Sequence, residues 1–323
     1  MAKTNPPRLA VGERLKQARK SLGLTQADVC RRAGVTANAY NQWEKGHRLI
    51  NLFDAMKLAD MLNFTLDWLY RGTHEEQMMQ EKTTVAGWSE DTSNQFVDYG
   101  DYFVPEREAQ IEIICSLIPD SRYPHVVELC CGEGLLSAAL LARHADIIIH
   151  AYDGSPTMLA KTAERLDEFP DRYTTREIDI AATEWRRFPW PVRAFVSSLA
   201  VHHLDGAGKQ KLFADLAAAL APGGALVIAD LIEPETERGR DVAARDWDHA
   251  VRSRSLELDG DLKAFEFFRD DVWNYYSDPS PDPIDQPSAL LDQLKWLEDA
   301  GLENADVHWL KAGHAIFSAV KAG

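Results

Sequence analysis

Two adjacent histidines, a glycine-bearing turn and a set of spaced carboxylates are the residues best equipped for chemistry in this 323-residue chain. His202 and His203 close the apolar run AFVSSLAVHHL. Imidazoles titrate near neutrality, so a pair at a strand end could move a proton or hold an acidic group. The second feature is ELCCGEG, with Glu128, Cys130, Gly132 and Gly134. It stands between the strand-like HVVEL and the Leu- and Ala-rich LLSAALLAR. Glycine lets the backbone approach a ligand, and the N-terminus of the following helix offers free N–H groups to an anion. A second apolar run, IIIHAYD, ends in Asp153 with Gly154 after it. Its distance from Gly132 suits an acid that accepts hydrogen bonds from ribose hydroxyls.

The elements needed to hold these groups recur down the chain. SPTMLAKTAERLDEF reads as a helix opened by Ser155-Pro156, and YTTREIDIAATEW as a third strand. The histidine run is the fourth strand, and LFADLAAALAPGGALVIADLI supplies a helix, a turn and a fifth strand. ADVHWL and HAIFSAVKA, separated by Lys311-Ala312-Gly313, should form a closing antiparallel pair.

Together ELCCGEG, YDGSPTML and the helix–PGG–strand passage resemble the class I S-adenosylmethionine (SAM)-dependent methyltransferases over residues 96–323. Cys130 stands where that family has its first glycine. The resemblance implies a Rossmann-like α/β domain with a mostly parallel seven-stranded sheet, and SAM as cofactor. It implies cofactor contacts from Glu128, Cys130, Gly132, Gly134, Asp153 and Gly154, with Asp179 at the adenine amino group and Ile180 beside it. Asp179 at a strand end could equally cap the next element. Aromatics ahead of the first strand often form a lid in SAM enzymes, making Tyr102 and Arg107 ligand candidates; packing and surface charge are their alternative roles. An insertion at about 234–292 carries a helix with Ala243, Trp247, Ala250 and Val251 on one face, and the aromatic FEFFRDDVWNYYSD. It suits a substrate cap, although plain packing accounts for many such aromatics. His202 and His203 are the expected catalytic bases, with Tyr275, Tyr276, His249 and His314 behind them. The alternative is that one of the pair packs against the cap and the other binds backbone.

Charge divides the chain. Residues 1–73 hold 12 Lys+Arg and 6 Asp+Glu, whereas the rest hold 23 and 45. A small basic module beside a large acidic one implies different partners. Val11, Leu15, Ala18 and Leu22 keep helical spacing. Thr25 and Thr36 look like N-caps on either side of Gly34-Val35, and Leu52, Ala55, Met56 and Ala59 line a fourth helix. At LTQADVCRRAGVTANAYNQWEKG the chain is similar to the Cro/C1-type (XRE) helix-turn-helix family, over residues 8–72. That likeness implies an all-α bundle binding double-stranded DNA, its third helix in the major groove. Ala39, Tyr40 and Trp43 would face the core, and Thr36, Ala37, Asn38, Asn41 and Gln42 the groove. Asn and Gln can pair bidentately with adenine. Gln26 would reach phosphate, with Arg48 and first-helix lysines as weaker candidates. Such modules act as dimers on half-sites about 34 Å apart, so a homodimer is expected. A bundle used only for protein contacts is the alternative. Residues 73–95 read as a linker, with Trp88 a docking candidate.

Four cysteines without C-x-x-C spacing imply neither disulfides nor a zinc site, and no metal is expected. A reducing cytoplasm fits, and no membrane span or signal segment is readable. DNA-base methylation is disfavoured: SSLAVHHL occupies the place of the Asn/Asp/Ser-Pro-Pro-aromatic motif, and no Pro-Cys dipeptide exists. Three functions stay open. The first is O- or N-methyl transfer to a small molecule, directed by a DNA-binding domain. The second is a transcriptional regulator whose methyltransferase-like domain senses SAM or a metabolite without turnover. The third is another SAM use, such as carboxy-SAM synthesis.

Overall fold

The protein is described by a computed structural model. It covers residues 6–21, 24–62, 64, 66–71, 97, 99–270, 273–278 and 284–323. The expected linker and Trp88 lie outside these residues. The chain divides into two compact units, Met1–Val85 and Ala86–Gly323.

The first unit contains α1 (Pro6–Ser21), α2 (Gln26–Ala33), α3 (Ala37–Glu44), α4 (Leu52–Leu62) and α5 (Leu66–Arg71). Thr25 makes a full capping box with Asp28, and Thr36 accepts from the Ala39 N–H. Each such cap contributes about 1 kcal/mol. Gly34 adopts a left-handed conformation and ends α2. Leu15, Val29, Tyr40, Ala55, Leu58 and Leu69 are fully buried. Met56, expected inward, is 54% exposed. Ala55, Leu58 and Leu62 form the buried stripe of α4 instead, and Met56 projects to one side of it. A buried carboxylate ties three helices together. Glu44 receives Arg19 through two hydrogen bonds (2.6 and 3.1 Å) and the Gln26 amide at 2.6 Å.

The second unit is a seven-stranded sheet in the order β3-β2-β1-β4-β5-β7-β6. The strands are β1 (His125–Leu129), β2 (Ile148–Asp153), β3 (Tyr173–Glu177), β4 (Val192–Ser198), β5 (Leu220–Leu231), β6 (Glu303–Lys311) and β7 (His314–Val320). All pairings are parallel except those of β7 with β5 and β6. The antiparallel finish follows from the short Ala312-Gly313 turn, since a parallel return needs a crossover. The central strands are apolar because helices cover both faces. One core contains Val127, Phe195, Leu212, Phe213 and Phe317, and the other Val126, Leu140, Ile149, Val196 and Val227.

Helices α6 (Arg107–Ser116), α7 (Leu135–Arg143), α8 (Pro156–Arg165) and α9 (Gly206–Ala219) precede or connect the strands. After β5 come α10 (Glu237–Asp259), α11 (Lys263–Asp270) and α12 (Leu290–Asp299). The inserted aromatics build their own core: Trp247, Val251, Phe268 and Tyr276 bury with Phe103 and Leu231. The Trp247 indole donates to Phe103 O at 2.7 Å, and the Tyr276 hydroxyl to Ile232 O at 2.8 Å. The insertion is thereby anchored to the end of β5. Among the described residues no helix is long and apolar enough to cross a membrane.

Candidate functional site

The turn after β1 lies at the C-terminal edge of the parallel strands, where open α/β sheets bind ligands. Cys130, Gly132 and Gly134 have φ of 54°, 55° and 80°. The turn therefore winds in the left-handed region, where glycine fits freely and cysteine is strained. A Cβ on Gly132 would meet no heavy atom within 4 Å, so this face of the turn is open. Asp153, 8% exposed, accepts from Gly132 N–H and Ser155 N–H, each at 2.8 Å. Its carboxylate thus braces the glycine turn against the start of α8. Thr162 adds a bond to Gly132 O at 2.7 Å.

Glu128 is 2% exposed, accepts from the Ser137 hydroxyl, and is pushed up to about 7 by burial. Arg107, at the first position of α6, faces Glu128 and donates to Ser198 Oγ at 2.7 Å. It thereby ties the start of α6 to the end of β4. Burial pushes the Cys130 thiol well above its ordinary value, and the negative charge of Asp153, Asp230, Glu128 and Asp179 adds to the rise. The turn lies at the sheet edge between the ends of β2 and β4.

Other expected contacts are arranged differently. Asp179 is exposed, and its Oδ1 accepts from Ala181 N–H at 2.8 Å, the capping alternative. Ile180 packs against the core, Gly154 is exposed, and the Tyr102 hydroxyl donates to Asp259 at 2.9 Å. Tyr102 therefore joins the inserted α10.

His202 and His203 lie in a 3-10 turn beyond β4 rather than on the strand. His202 N–H donates to Asp230 Oδ2 at 2.8 Å, and its Nδ1 pairs with Asp230 Oδ1. Its Nε2 lies 3.5 Å from Asp285 Oδ1, and His203 Nδ1 lies 3.3 Å from the same oxygen. Burial alone would lower His202, but Asp230 and Asp285 outweigh it and leave it pushed up to about 9. His202 is therefore not the free base that its position suggested, because carboxylates face both ring nitrogens. Burial and the neighbouring His202 lower His203. Asp230 and Asp285 were missed in the sequence. Of the secondary candidates, His249 is exposed, Tyr275 donates to Glu233 at 2.9 Å, and Tyr276 anchors the insertion. His314 is buried with Nδ1 2.8 Å from Ala312 O, and its Nε2 has no partner among the described residues.

On α3, Thr36, Ala37 and Asn38 are exposed, Asn41 and Gln42 half-exposed, and Tyr40 and Trp43 buried. Gln26 is half-buried with its amide engaged by Glu44.

Two family profiles match: one described as a helix-turn-helix over residues 15–69, and one described as a methyltransferase domain over residues 126–224. The trans-aconitate 2-methyltransferase of Paracidovorax citrulli (strain AAC00-1) is 31% identical over 215 residues, 62% of this chain and 77% of that protein. The chain belongs to the class I SAM-dependent methyltransferases. This methyltransferase carries a Cro/C1-type helix-turn-helix at its N-terminus. There it is 32% identical over 83 residues to the Bacillus subtilis (strain 168) prophage-derived uncharacterized HTH-type transcriptional regulator YonR, covering 24% of this chain and 77% of that one. An O-methyltransferase family protein from Burkholderia thailandensis shares the fold at a TM-score of 0.54 and 12% identity, covering 97% of this methyltransferase and 94% of that chain. The residues present fit the SAM cofactor. The open glycine turn admits a ligand close to its backbone, and Arg107 and Glu128, near the ends of neighbouring elements, offer a guanidinium and a carboxyl suited to a zwitterionic amino-acid tail.

Proposed function

We propose that this methyltransferase alkylates an oxygen or nitrogen of a small molecule, and that its N-terminal domain brings it, as a homodimer, to specific DNA. The observation that carries the small-molecule reading is the aromatic insertion fastened over the end of β5 by Trp247 and Tyr276. Such an aromatic insertion beside the sheet's ligand-binding edge suits a compact acceptor. The relative from Paracidovorax citrulli is named for a small polycarboxylate acceptor, which favours oxygen over nitrogen.

When bound, SAM supplies a methyl group on a positively charged sulfur. Gly132 and Gly134 let the backbone lie against the donor, Asp153 holds the turn and accepts from ribose hydroxyls, and Arg107 and Glu128 orient the amino-acid end. Asp179, through the carboxylate oxygen not used by Ala181, and Ile180 would hold the adenine, with Gly154 at the ribose and Cys130 in the turn that would hold the donor. Carboxylates around the turn favour a cationic ligand over its neutral product. On the acceptor side, His202 and His203 present a rigid polar edge, since Asp230 fixes His202 through both its ring and its backbone N–H. Positioning of this kind, together with exclusion of water by the insertion, is the main demand of an in-line displacement. In the N-terminal domain, Asn38, Asn41 and Gln42 read bases, flanked by Thr36 and Ala37, while Gln26 contributes through its place beside Glu44.

Calorimetric titration of SAM into the full chain tests this, with Asp153→Ala as the control. Saturable binding lost in the variant is expected, followed by methylated product from small carboxylic acids or hydroxy compounds. Absence of SAM binding by folded wild-type protein would overturn the cofactor assignments. SAM binding with methyl transfer only to DNA or protein would overturn the small-molecule reading.

A further inference from the structure

His202, His203 and Asp285 form a cluster apart from the glycine turn of the donor site. His202 Nε2 and His203 Nδ1 lie 3.5 and 3.3 Å from one oxygen of Asp285. One ligand-capable atom from each residue falls within 4.8 Å of the others. Around a tetrahedral ion with bonds of about 2.0–2.1 Å, neighbouring ligand atoms are separated by about 3.3 Å. Both separations to the Asp285 oxygen are near that value.

Two further observations point to a ligand rather than an incidental ion pair. The first is the group behind His202. Asp230, itself 2% exposed, holds Nδ1 and also binds the His202 N–H, so the ring is fixed with Nε2 turned to Asp285. A carboxylate on the far nitrogen is the usual support of a metal-bound imidazole, because it sets the tautomer and strengthens the ligand. The second is how firmly Asp285 is placed. Its neighbour Gln286 donates to His202 O at 2.8 Å and receives the buried Lys209 ammonium, which also binds Ser288 Oγ at 2.7 Å. Ser288 in turn pairs with Ile232 at the end of β5. The carboxylate is thus delivered to the histidines by a segment pinned at several points. A dication would also balance the two carboxylates, Asp230 and Asp285, with both imidazoles neutral.

We propose that His202, His203 and Asp285 bind a divalent transition-metal ion, the set of two imidazoles and one carboxylate suiting zinc, cobalt, iron or manganese. Three protein ligands leave coordination for an oxygen of the acceptor, so the ion would hold and acidify that oxygen on the acceptor side. This role, though not the binding itself, rests on the small-molecule reading above.

The test uses the full chain stripped by chelator and titrated with Co2+ alone, without SAM or acceptor. One equivalent giving visible d–d absorption, displaced by Zn2+, is expected. Asp285→Asn and His203→Gln should each weaken binding at least 10-fold, and Asp230→Asn about 10–100-fold. SAM calorimetry on the stripped protein and on the Asp285→Asn/His203→Gln double variant reports folding and the donor site separately. Should wild type give no Co2+ absorption, or should the double variant give the same absorption as wild type, the metal site is overturned while the methyltransferase reading stands.

Discussion

Replacing Gly132 by alanine separates the turn's part in folding from its part in binding. Gly132 has φ of 55°, and a Cβ built there meets nothing within 4 Å. The folding cost of Gly132→Ala is therefore backbone strain alone, about 1–2 kcal/mol. In a domain of this size that lowers Tm by about 2–8 °C. Binding should suffer separately. The new methyl stands on the open face, where the backbone must approach the cofactor, and overpacking of this kind costs about 1–3 kcal/mol. SAM affinity should fall about 5- to 150-fold. Gly134→Ala supplies the contrast, because its Cβ would lie 3.0 Å from Thr162 Cγ2 and 3.2 Å from Thr162 Cα. It should lose more stability than Gly132→Ala. Cys130→Gly supplies the converse: relief of strain at φ 54° is offset by about 0.4–1 kcal/mol of added unfolded-state entropy. Tm should stay level or rise slightly, with SAM binding kept. Thermal unfolding and calorimetry on the three variants decide the matter. A Gly132→Ala protein that loses stability yet binds SAM with wild-type affinity refutes the idea that ligand approaches this turn.

Burial raises Glu128 from 4.5 to about 7, so the folded state holds its proton more tightly than the unfolded state. Its contribution to stability is therefore present below about pH 4.5 and is lost as pH rises through about 7; urea unfolding of Glu128→Gln across that window should show a flatter pH profile than wild type. In the helical unit, Glu44→Ala leaves the Arg19 guanidinium, 11% exposed, without its carboxylate. Loss of about 3–5 kcal/mol is expected, seen as early melting of that unit with DNA binding lost. Gln42→Ala should cost about 1–3 kcal/mol on a selected operator while the salt slope of binding stays the same, whereas a phosphate contact would change the slope. Gel-shift titrations at several salt concentrations separate the two cases.

Local order was legible wherever one element specifies itself. The caps at Thr25 and Thr36, the strand–turn–helix around Gly132, and the closing β6–β7 pair depend on residues adjacent in sequence. Their backbone preferences and hydrophobic periods therefore appear directly in the residue order. The division into a basic helical module and an acidic α/β domain was legible for the same reason, since charge sums over a segment need no fold. Met56 was misplaced because a short amphipathic helix can roll by one residue, and only packing against its neighbours selects the face.

The chemistry of the site depends on contacts between segments distant in the chain. A parallel sheet brings the C-terminal ends of β1, β2, β4 and β5 to one edge, although long crossovers separate them in the chain. That convergence puts Arg107 on Ser198, and Asp230 and Asp285 at the two ring nitrogens of His202. Residue order alone shows that two histidines end the fourth strand's segment and that an acid follows a glycine turn. Which carboxylates those histidines meet depends on how the inserted segment is pinned across β5, and on burial that strengthens every charge placed there. Neighbouring residues cannot encode that.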